Sequence, residues 1–360
     1  MAAHCSGDNC AGKEIVPGAR SCVVSLDGLG ISLKLDIPYN ELAQGTVYEV
    51  PAAQDPGTDL ALATELDTHR QFRLSSIPIP EGAEKQAKSE LKTIRLFFPQ
   101  ICSVRIRICM AAWLGTLCDV DDLIEAMGPS DAASAISGSL AILQDEVGNG
   151  VEANRISTLG KVLYAVQIFR DHCSRYLDKD EVKDFLNEVC SVFKGFSWEL
   201  ELREKALASD LETYINIRMR TVGVAPFFSL IKSEYSPGYH AEELLEMQRD
   251  IYTAVGLQND LIGLEKDIQT GEAMNAVIYA MKSTRQKEGH DVGIGLPGAV
   301  SLVCELHNTA ITRALKRHDH LISTPECPPS SGIIIANAML LCTATHLEWC
   351  VSTKQYRGRC

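Results

Sequence analysis

The sequence lacks the excess of positive charge that binding to nucleic acid or to an anionic membrane surface requires. Its 360 residues include 34 Lys and Arg against 47 Asp and Glu, which gives a formal net charge of −13 at pH 7. A surface with this balance repels polyanions unless its charge is strongly segregated. We therefore expect no nucleic acid among the partners of this protein.

Signals for export or for membrane insertion are also missing. The thirteen cysteines include no C-x-x-C pair, and several lie in apolar stretches where a reduced thiol packs as a small hydrophobic side chain. The N-terminal stretch has no apolar segment typical of a secretory signal. The longest apolar run, Ile333 to Cys342, has about half of the ~20 residues of a membrane span, and Asn337 interrupts it. These features predict a cytoplasmic protein without a membrane span.

The hydrophobic pattern changes near residue 59. Before it, Cys22 to Leu26 and Ile31 to Ile37 have the composition of strands, with Gly28, Gly30 and Pro38 as breakers. From Asp59 onward, apolar residues recur at i, i+3, i+4 and i+7 in long segments separated by short breakers. We predict an all-α protein with about ten helices, in which residues 59–360 form one helical domain. Residues 1–58 are predicted to be an N-terminal extension, irregular with possible short strands.

The first carboxylate cluster follows an apolar stretch that begins near Ile101. It contains Asp119, Asp121, Asp122 and Glu125, and in a helix Asp121 and Glu125 lie one turn apart on the same face. Like charges at this spacing repel one another, and carboxylate oxygens suit Mg²⁺, which binds together with substrate phosphates. A solvated helix terminus is the commoner explanation of such a cluster when it stands alone.

The second cluster is a polar line on a helix. Asn259, Gly263 and Asp267 are spaced at i, i+4 and i+8, and Lys266 lies at the edge of the line. An ordinary charged helix surface has such residues too. A buried polar row is nevertheless favoured, because apolar residues flank the line on nearly every side: Leu257, Leu261, Ile262 and Leu264.

Together the two clusters resemble the paired metal motifs of fungal class I terpene synthases, the group that includes aristolochene and trichodiene synthases. The first motif is read as DDLIE from Asp121 to Glu125, and the second as NDLIGLEKD at residues 259–267. Two further segments match in the same order along the chain. Residues 214–223 resemble the diphosphate-sensing stretch of the family, with Arg218 at its arginine, and residues 349–356 resemble the C-terminal segment that ends in Tyr356.

The sequence departs from the family pattern at two positions. Gln355 stands where the family usually has arginine, which removes a bidentate diphosphate donor, and Lys354 or Arg357 is available to compensate. Gly263 has no side-chain oxygen. Either a water completes the shell of that metal ion or the site is weaker than usual.

The resemblance implies a helical bundle around a central apolar cavity and three bound Mg²⁺ ions, with Mn²⁺ as an alternative. Two ions would be held mainly by the helix of Asp121, Asp122 and Glu125. The third would be held by the motif at Asn259, Gly263 and Asp267. Arg218, Lys266 and Tyr356 would bind the diphosphate of the substrate, and the protein would be a monomer or a homodimer.

The predicted walls of the cavity are aromatic, because π faces stabilise cations. For each candidate alone, ordinary core packing is the commoner explanation; the candidates are Phe97, Phe98, Trp113, Phe227, Phe228 and Trp349. No residue stands out as a general base. None of the nine histidines falls in a motif, which indicates structural or surface roles, and in the family the released diphosphate is often invoked to take the final proton.

The resemblance predicts a Mg²⁺-dependent sesquiterpene cyclase that converts farnesyl diphosphate to a hydrocarbon of the humulene, caryophyllene or germacrene type. A diterpene cyclase using geranylgeranyl diphosphate is an alternative. A prenyl-elongating synthase would need a second DDxxD where this chain begins its second motif with Asn259. A catalytically impaired helical binding protein, suggested by Gln355 and Gly263, and an all-α protein unrelated to terpenoids complete the alternatives.

Overall fold

The structure is a computed structural model that describes residues 18–39, 60–76, 80–145, 156–205, 210–235, 242–287, 294–323 and 331–352. Within these ranges the chain forms a two-stranded hairpin followed by twelve helices. The predicted helical fold with a short N-terminal β segment is confirmed, with more helices than the sequence pattern indicated.

The elements follow in chain order. The hairpin consists of β1 (Gly18–Leu26) and β2 (Ile31–Tyr39). The helices are α1 (Leu60–Ser76), α2 (Pro80–Phe97), α3 (Val104–Glu125), α4 (Pro129–Leu143), α5 (Thr158–Cys173), α6 (Lys179–Lys205), α7 (Leu211–Thr221), α8 (Ala225–Tyr235), α9 (Glu242–Thr270), α10 (Ala276–Lys287), α11 (Leu296–Ser323) and α12 (Ser331–Ser352).

The hairpin is packed on the helices by one of its two faces. Its strands pair antiparallel from Gly18 opposite Tyr39 to Leu26 opposite Ile31. Alternate residues of a strand point to the same face, and Leu33 and Leu35 of β2 are both completely buried. They belong to one apolar cluster with residues of α9 and α11. The hairpin packs mainly on α11 and α12, and its buried face joins the apolar cluster that includes residues of α9.

Pro38 does not break its strand, in contrast to the role expected from the sequence. It lies inside β2, opposite Ala19 of β1. Both strands of a two-stranded ribbon are edge strands. Proline is tolerated there because no further strand requires a hydrogen bond from the N–H that proline lacks.

Truncation of Leu33 to alanine should lower the free energy of unfolding by about 2–5 kcal/mol, the range for deleting a fully buried leucine side chain. Urea denaturation followed by circular dichroism measures the change. Val23 on β1 is 67% exposed, and its replacement by alanine is the matched control with an expected effect within about 0.5 kcal/mol. Equal effects of the two changes would show that the hairpin is not docked on the bundle.

The helix α9 is central to the bundle. It spans 29 residues and packs against α7, α11 and α12. Its buried residues include Leu257, Leu261, Ile262 and Leu264, which are the apolar neighbours that the sequence placed around the polar line. Within the polar line itself, Gly263 is buried, whereas Asn259 and Asp267 are half-buried.

The helix α12 is the most apolar of the bundle. Among the described residues, its Gly332–Ser352 segment is long and apolar enough to cross a membrane by length and composition, but 72% of its most apolar stretch is buried inside the protein. Core helices of soluble proteins can have the same length and composition. The helix packs against α2, α8, α9 and α11, and this packing accounts for its composition.

Candidate active site

The motif segments of α3 and α9 face one cavity of about 160 Å³. The six predicted metal-binding positions and the predicted diphosphate-binding Lys266 all line this cavity: Asp121, Asp122, Glu125, Asn259, Gly263, Lys266 and Asp267. Arg218 of α7 lines it as well.

Three of the six aromatic wall candidates line the cavity. They are Phe97, Phe227 and Trp349, and aliphatic side chains that include Leu114, Leu117 and Val255 complete the apolar part of the lining. The cavity thus has a polar, mostly acidic end and an apolar body.

Phe98, Trp113 and Phe228 lie in the packed core instead of in the cavity wall. Phe98 and Phe228 are completely buried, and their ring centroids are 6.1 Å apart. The Trp113 Nε1 donates to the carbonyl oxygen of Gly223 at 2.8 Å. Trp113 precedes Asp121 by eight residues, which on a helix is about 80° away from the cavity-facing line.

Tyr356, Lys354, Gln355 and Arg357 lie outside the described residues. Their predicted roles at the diphosphate therefore stay predictions.

A break between α7 and α8 lies at the cavity, which Thr221, Val222 and Val224 line. The first helix ends at Thr221 and the next begins at Ala225. Gly223 has a φ of 71°, a left-handed conformation that favours glycine. A Cβ at this position would also lie 2.3 Å from the Leu117 Cδ2. Only glycine therefore fits this turn.

Asp121 lies in an unfavourable environment for its charge. Burial, together with repulsion from Glu125 and Glu199, raises the pKa of Asp121 to about 8, although Arg218 partly opposes the shift. Burial likewise raises the pKa of Asp267 to about 6. Carboxyl groups on both sides of the cavity thus favour a cation beside them.

Glu199 of α6 is a cavity residue that the sequence did not reveal. Its Oε1 accepts a hydrogen bond from the Thr221 Oγ1 at 2.5 Å and lies 4.0 Å from the Arg218 Nη1. Burial raises the pKa of Glu199. Glu199 lies on a charged helix in which no sequence motif marks its position. The packing of α6 against α7 brings it to the site.

Arg203, also on α6, links the two acidic sides of the opening. Its Nη2 lies 3.5 Å from the Glu125 Oε1 and 3.6 Å from the Glu272 Oε2. No motif indicated this contact, which places a second arginine among the acidic residues of the cavity.

Arg218 is held in position by the second residue of the α9 motif. Its Nε donates to the Asp260 Oδ1 at 2.9 Å. The other oxygen of Asp260 accepts from the Tyr214 hydroxyl at 2.7 Å and from the backbone N–H of Ala276 at 3.0 Å. Arg218 therefore lines the cavity and also forms an ion pair with Asp260.

The donor set at the cavity fits a hard divalent cation. The Asn259 Oδ1 is buried and has no hydrogen-bond partner among the described residues, which is costly unless another group binds it. Oxygen ligands of this kind suit Mg²⁺ or Mn²⁺. Within the part of the chain that the structure describes, no three acidic, His or Cys side chains form a complete metal site, so substrate phosphate and water oxygens would have to supply the remaining ligands.

The raised pKa of Asp121 makes the stability of the metal-free protein depend on pH. A carboxyl whose pKa is higher in the folded state stabilises the fold while it is protonated, and this contribution is lost as the pH rises through about 8. In EDTA, the melting temperature of the parent should fall more between pH 6 and pH 9 than that of Asp121→Asn. Mg²⁺ should raise the parent's melting temperature at the higher pH. Identical pH profiles of parent and variant would contradict this assignment.

A larger and more open groove of about 800 Å³ lies between β2 and α11. Among the described residues, its lining contains one carboxylate, Glu305. Carboxylates from two helices and Arg218 converge on the smaller cavity, which is therefore the candidate active site.

The comparison with protein families identifies this arrangement. The family model described as "Terpene synthase family 2, C-terminal metal binding" matches residues 112–313, more than half of the chain and both motif segments. The chain belongs to terpene synthase family 2. This is a family of class I terpene synthases, which are lyases, and its description implies a divalent metal.

Curated relatives of this terpene synthase family 2 chain share about a quarter of the residues within the matched region. A (+)-germacrene D synthase of Selaginella moellendorffii is 27% identical over 186 residues, covering 50% of this chain and 51% of the relative. Sesquiterpene synthase 6 of Postia placenta is 24% identical over 179 residues, covering 48% and 50%. The matched region thus spans about half the length of these relatives. The resemblance to the fungal aristolochene and trichodiene group stays a prediction.

Solved structures of terpene synthases share the fold. Linalool/nerolidol synthase from Streptomyces clavuligerus in complex with 2-fluorogeranyl diphosphate superposes with a TM-score of 0.62 at 19% identity, covering 85% of this chain and 99% of that chain. Hedycaryol synthase in complex with nerolidol gives a TM-score of 0.57 at 15% identity, covering 84% and 100%. At these identities the similarity shows the fold alone.

Proposed function

We propose that this protein is a Mg²⁺-dependent sesquiterpene cyclase. It would ionise farnesyl diphosphate, cyclise the farnesyl cation to a hydrocarbon and release diphosphate. The observation that carries the proposal is the convergence of both motif segments and Arg218 on one cavity whose remaining wall is apolar. Such a cavity has one end for an anionic leaving group and a body for a hydrocarbon chain.

The polar end would bind the diphosphate. Asp121, Asp122 and Glu125 would hold two cations, and Asn259 and Asp267 would hold a third beside Gly263. When bound, Mg²⁺ supplies Lewis-acid stabilisation of the charge that develops on the diphosphate oxygens.

The cationic side chains would act on the same group. The Arg218 guanidinium, fixed by Asp260, would donate to the diphosphate, since fork-shaped donors match phosphate oxygens. Lys266 would add a compact positive charge. Tyr356 is proposed to join them from the C-terminal segment.

The apolar body would protect the carbocation from water. Phe97, Phe227 and Trp349 line it and would stabilise positive charge through their π faces. The shape of this lining would set the ring-closure path and so the hydrocarbon skeleton.

The two curated relatives, a germacrene D synthase and a sesquiterpene synthase, support farnesyl diphosphate as the substrate. The Selaginella relative supports a germacrene-type product over a humulene or caryophyllene type. Geranylgeranyl diphosphate is the alternative substrate. A reducing, cytoplasmic location and a monomeric or homodimeric state are proposed with the function.

The test is incubation of the purified chain with farnesyl or geranylgeranyl diphosphate and Mg²⁺, with diphosphate release and gas chromatography of the extract as readouts. We expect diphosphate release and a fifteen-carbon hydrocarbon from farnesyl diphosphate, and neither in EDTA. A twenty-carbon product alone would establish the diterpene cyclase. No release from either substrate would favour the impaired binding protein suggested by Gln355 and Gly263.

A further inference from the structure

A histidine of α12 lines the active-site cavity. His346 lies among its lining residues, with its ring centroid 5.9 Å from those of Phe97 and Trp349. The sequence assigned no role to this histidine, because it lies outside every motif. Its position in the apolar body makes it a nitrogen base beside the space proposed for the carbocation.

The hydrogen-bonding partner of His346 is the amide of Gln258, which is completely buried on α9. The Gln258 Nε2 contacts the carbonyl oxygen of Thr343 at 3.2 Å, and this oxygen can only accept. The Gln258 Oε1, 2.9 Å from the His346 Nδ1, must therefore be the acceptor of that contact. His346 carries its proton on Nδ1.

The orientation of the Gln258 amide, with Oε1 towards His346, is fixed by a second set of contacts as well. The Gln258 Nε2 also lies 3.2 Å from the His307 Nε2, which therefore accepts, so that the His307 Nδ1 donates to the Asn308 Oδ1 at 2.9 Å. Asn308 is anchored on β2 in turn. Its Oδ1 accepts from the backbone N–H of Asp36 at 2.8 Å, and its Nδ2 donates to the carbonyl oxygen of Lys34 at 3.1 Å.

The chain of contacts leaves the lone pair of the His346 Nε2 available. Among the described residues, only the sulfur of Cys350 lies within hydrogen-bonding range of this nitrogen, at 3.6 Å, and a thiol is a weak partner. The ring is also kept uncharged, because burial, reinforced by Arg218, lowers the pKa of His346 to about 3. An uncharged ring does not repel a carbocation.

We propose that the Nε2 of His346 accepts the proton that ends the cyclisation, an inference that rests on the proposed function. The C–H bond next to the cationic carbon breaks, its electron pair forms the carbon–carbon double bond, and the proton binds to Nε2. The imidazolium then returns the proton to water as the product leaves. A carbocation is so strong an acid that a weakly basic imidazole suffices.

The test compares His346→Gln and His346→Phe with the parent, using farnesyl diphosphate and Mg²⁺. Diphosphate release should stay within about threefold of the parent, because ionisation precedes the proposed step. The fraction of the parent's main hydrocarbon should fall at least about tenfold, with alcohols from water capture or isomeric alkenes in its place. His318→Gln is the matched control, since His318 is a buried histidine bonded to Asn337 away from the cavity, and its products should match the parent's.

An unchanged product profile in both His346 variants would overturn the inference. Thermal melts by circular dichroism check that each variant folds. If His346→Phe does not fold, Gln258→Met provides the second variant, because it keeps the ring but removes the acceptor that holds its proton on Nδ1. We expect a product shift in the same direction, and an unchanged profile again contradicts the inference. Failure of the proposed function would show differently, as a parent that releases no diphosphate.

Discussion

Replacement of Asp121 by asparagine is expected to slow diphosphate release from farnesyl diphosphate by about 10²–10³-fold, the loss typical when one preorganised group that stabilises developing charge is removed. Asparagine keeps the shape of the side chain but not the charge that binds a divalent cation. Burial and the neighbouring acids Glu125 and Glu199 raise the pKa of Asp121, so a cation beside the parent's carboxylate relieves an unfavourable environment for its charge.

The control for this change is Asp131→Asn. Asp131 is an exposed acid in the first turn of α4, six residues beyond the α3 motif and outside the cavity lining. Diphosphate release by the Asp131→Asn variant should stay within about twofold of the parent's rate, because surface substitutions have small effects. An Asp121 variant that is as active as the Asp131 variant would show that the acidic cluster of α3 takes no part in the reaction.

Replacement of Asp260 by alanine should lower the free energy of unfolding by about 3–5 kcal/mol, the loss typical when one partner of a buried ion pair is removed. Asp260 is 2% exposed, and it accepts from Arg218, from the Tyr214 hydroxyl and from the backbone of Ala276. Without it, the partly buried guanidinium of Arg218 and two buried donors lose this acceptor. Urea denaturation measures the loss.

A surface ion pair gives the comparison for Asp260. Glu246 contacts Arg317 at 2.5 Å, with 49% of the Glu246 side chain exposed, and such pairs contribute about 0–1 kcal/mol. The Glu246→Ala variant should therefore lose at most about 1 kcal/mol. Equal losses in the two variants would mean that Asp260 does not hold Arg218 in the folded protein.

The arrangement of polar residues within each motif was predictable, because it depends on the local periodicity of a helix. The spacing of Asp121 and Glu125, and of Asn259 and Asp267, places each pair near one helix face whatever the tertiary structure. The order of the motifs and their resemblance to a family then indicated that the two faces meet, as the cavity lining shows.

The rest of the site depends on tertiary packing that no local pattern encodes. Phe97 and Phe98 are adjacent and equally apolar, yet the first lines the cavity and the second is buried in the core. Glu199 and His346 reach the cavity because α6 and α12 pack beside α7 and α9. Neither residue lies within a sequence motif.

The hairpin shows the same division between local pattern and tertiary contact. The alternation around Leu33 and Leu35 is typical of a strand with one buried face, and the strand is present. What this face covers was not predictable, because it depends on the apolar residues of α9 and α11.

The account depends on α3 and α9 binding one metal–diphosphate cluster together, and counting bound Mn²⁺ by electron paramagnetic resonance tests this most directly. With inorganic diphosphate present, we expect three Mn²⁺ per chain in the parent and fewer in both Asp121→Asn and Asn259→Ala. Binding of Mn²⁺ that does not depend on diphosphate, or a full complement of ions in either variant, would contradict the account.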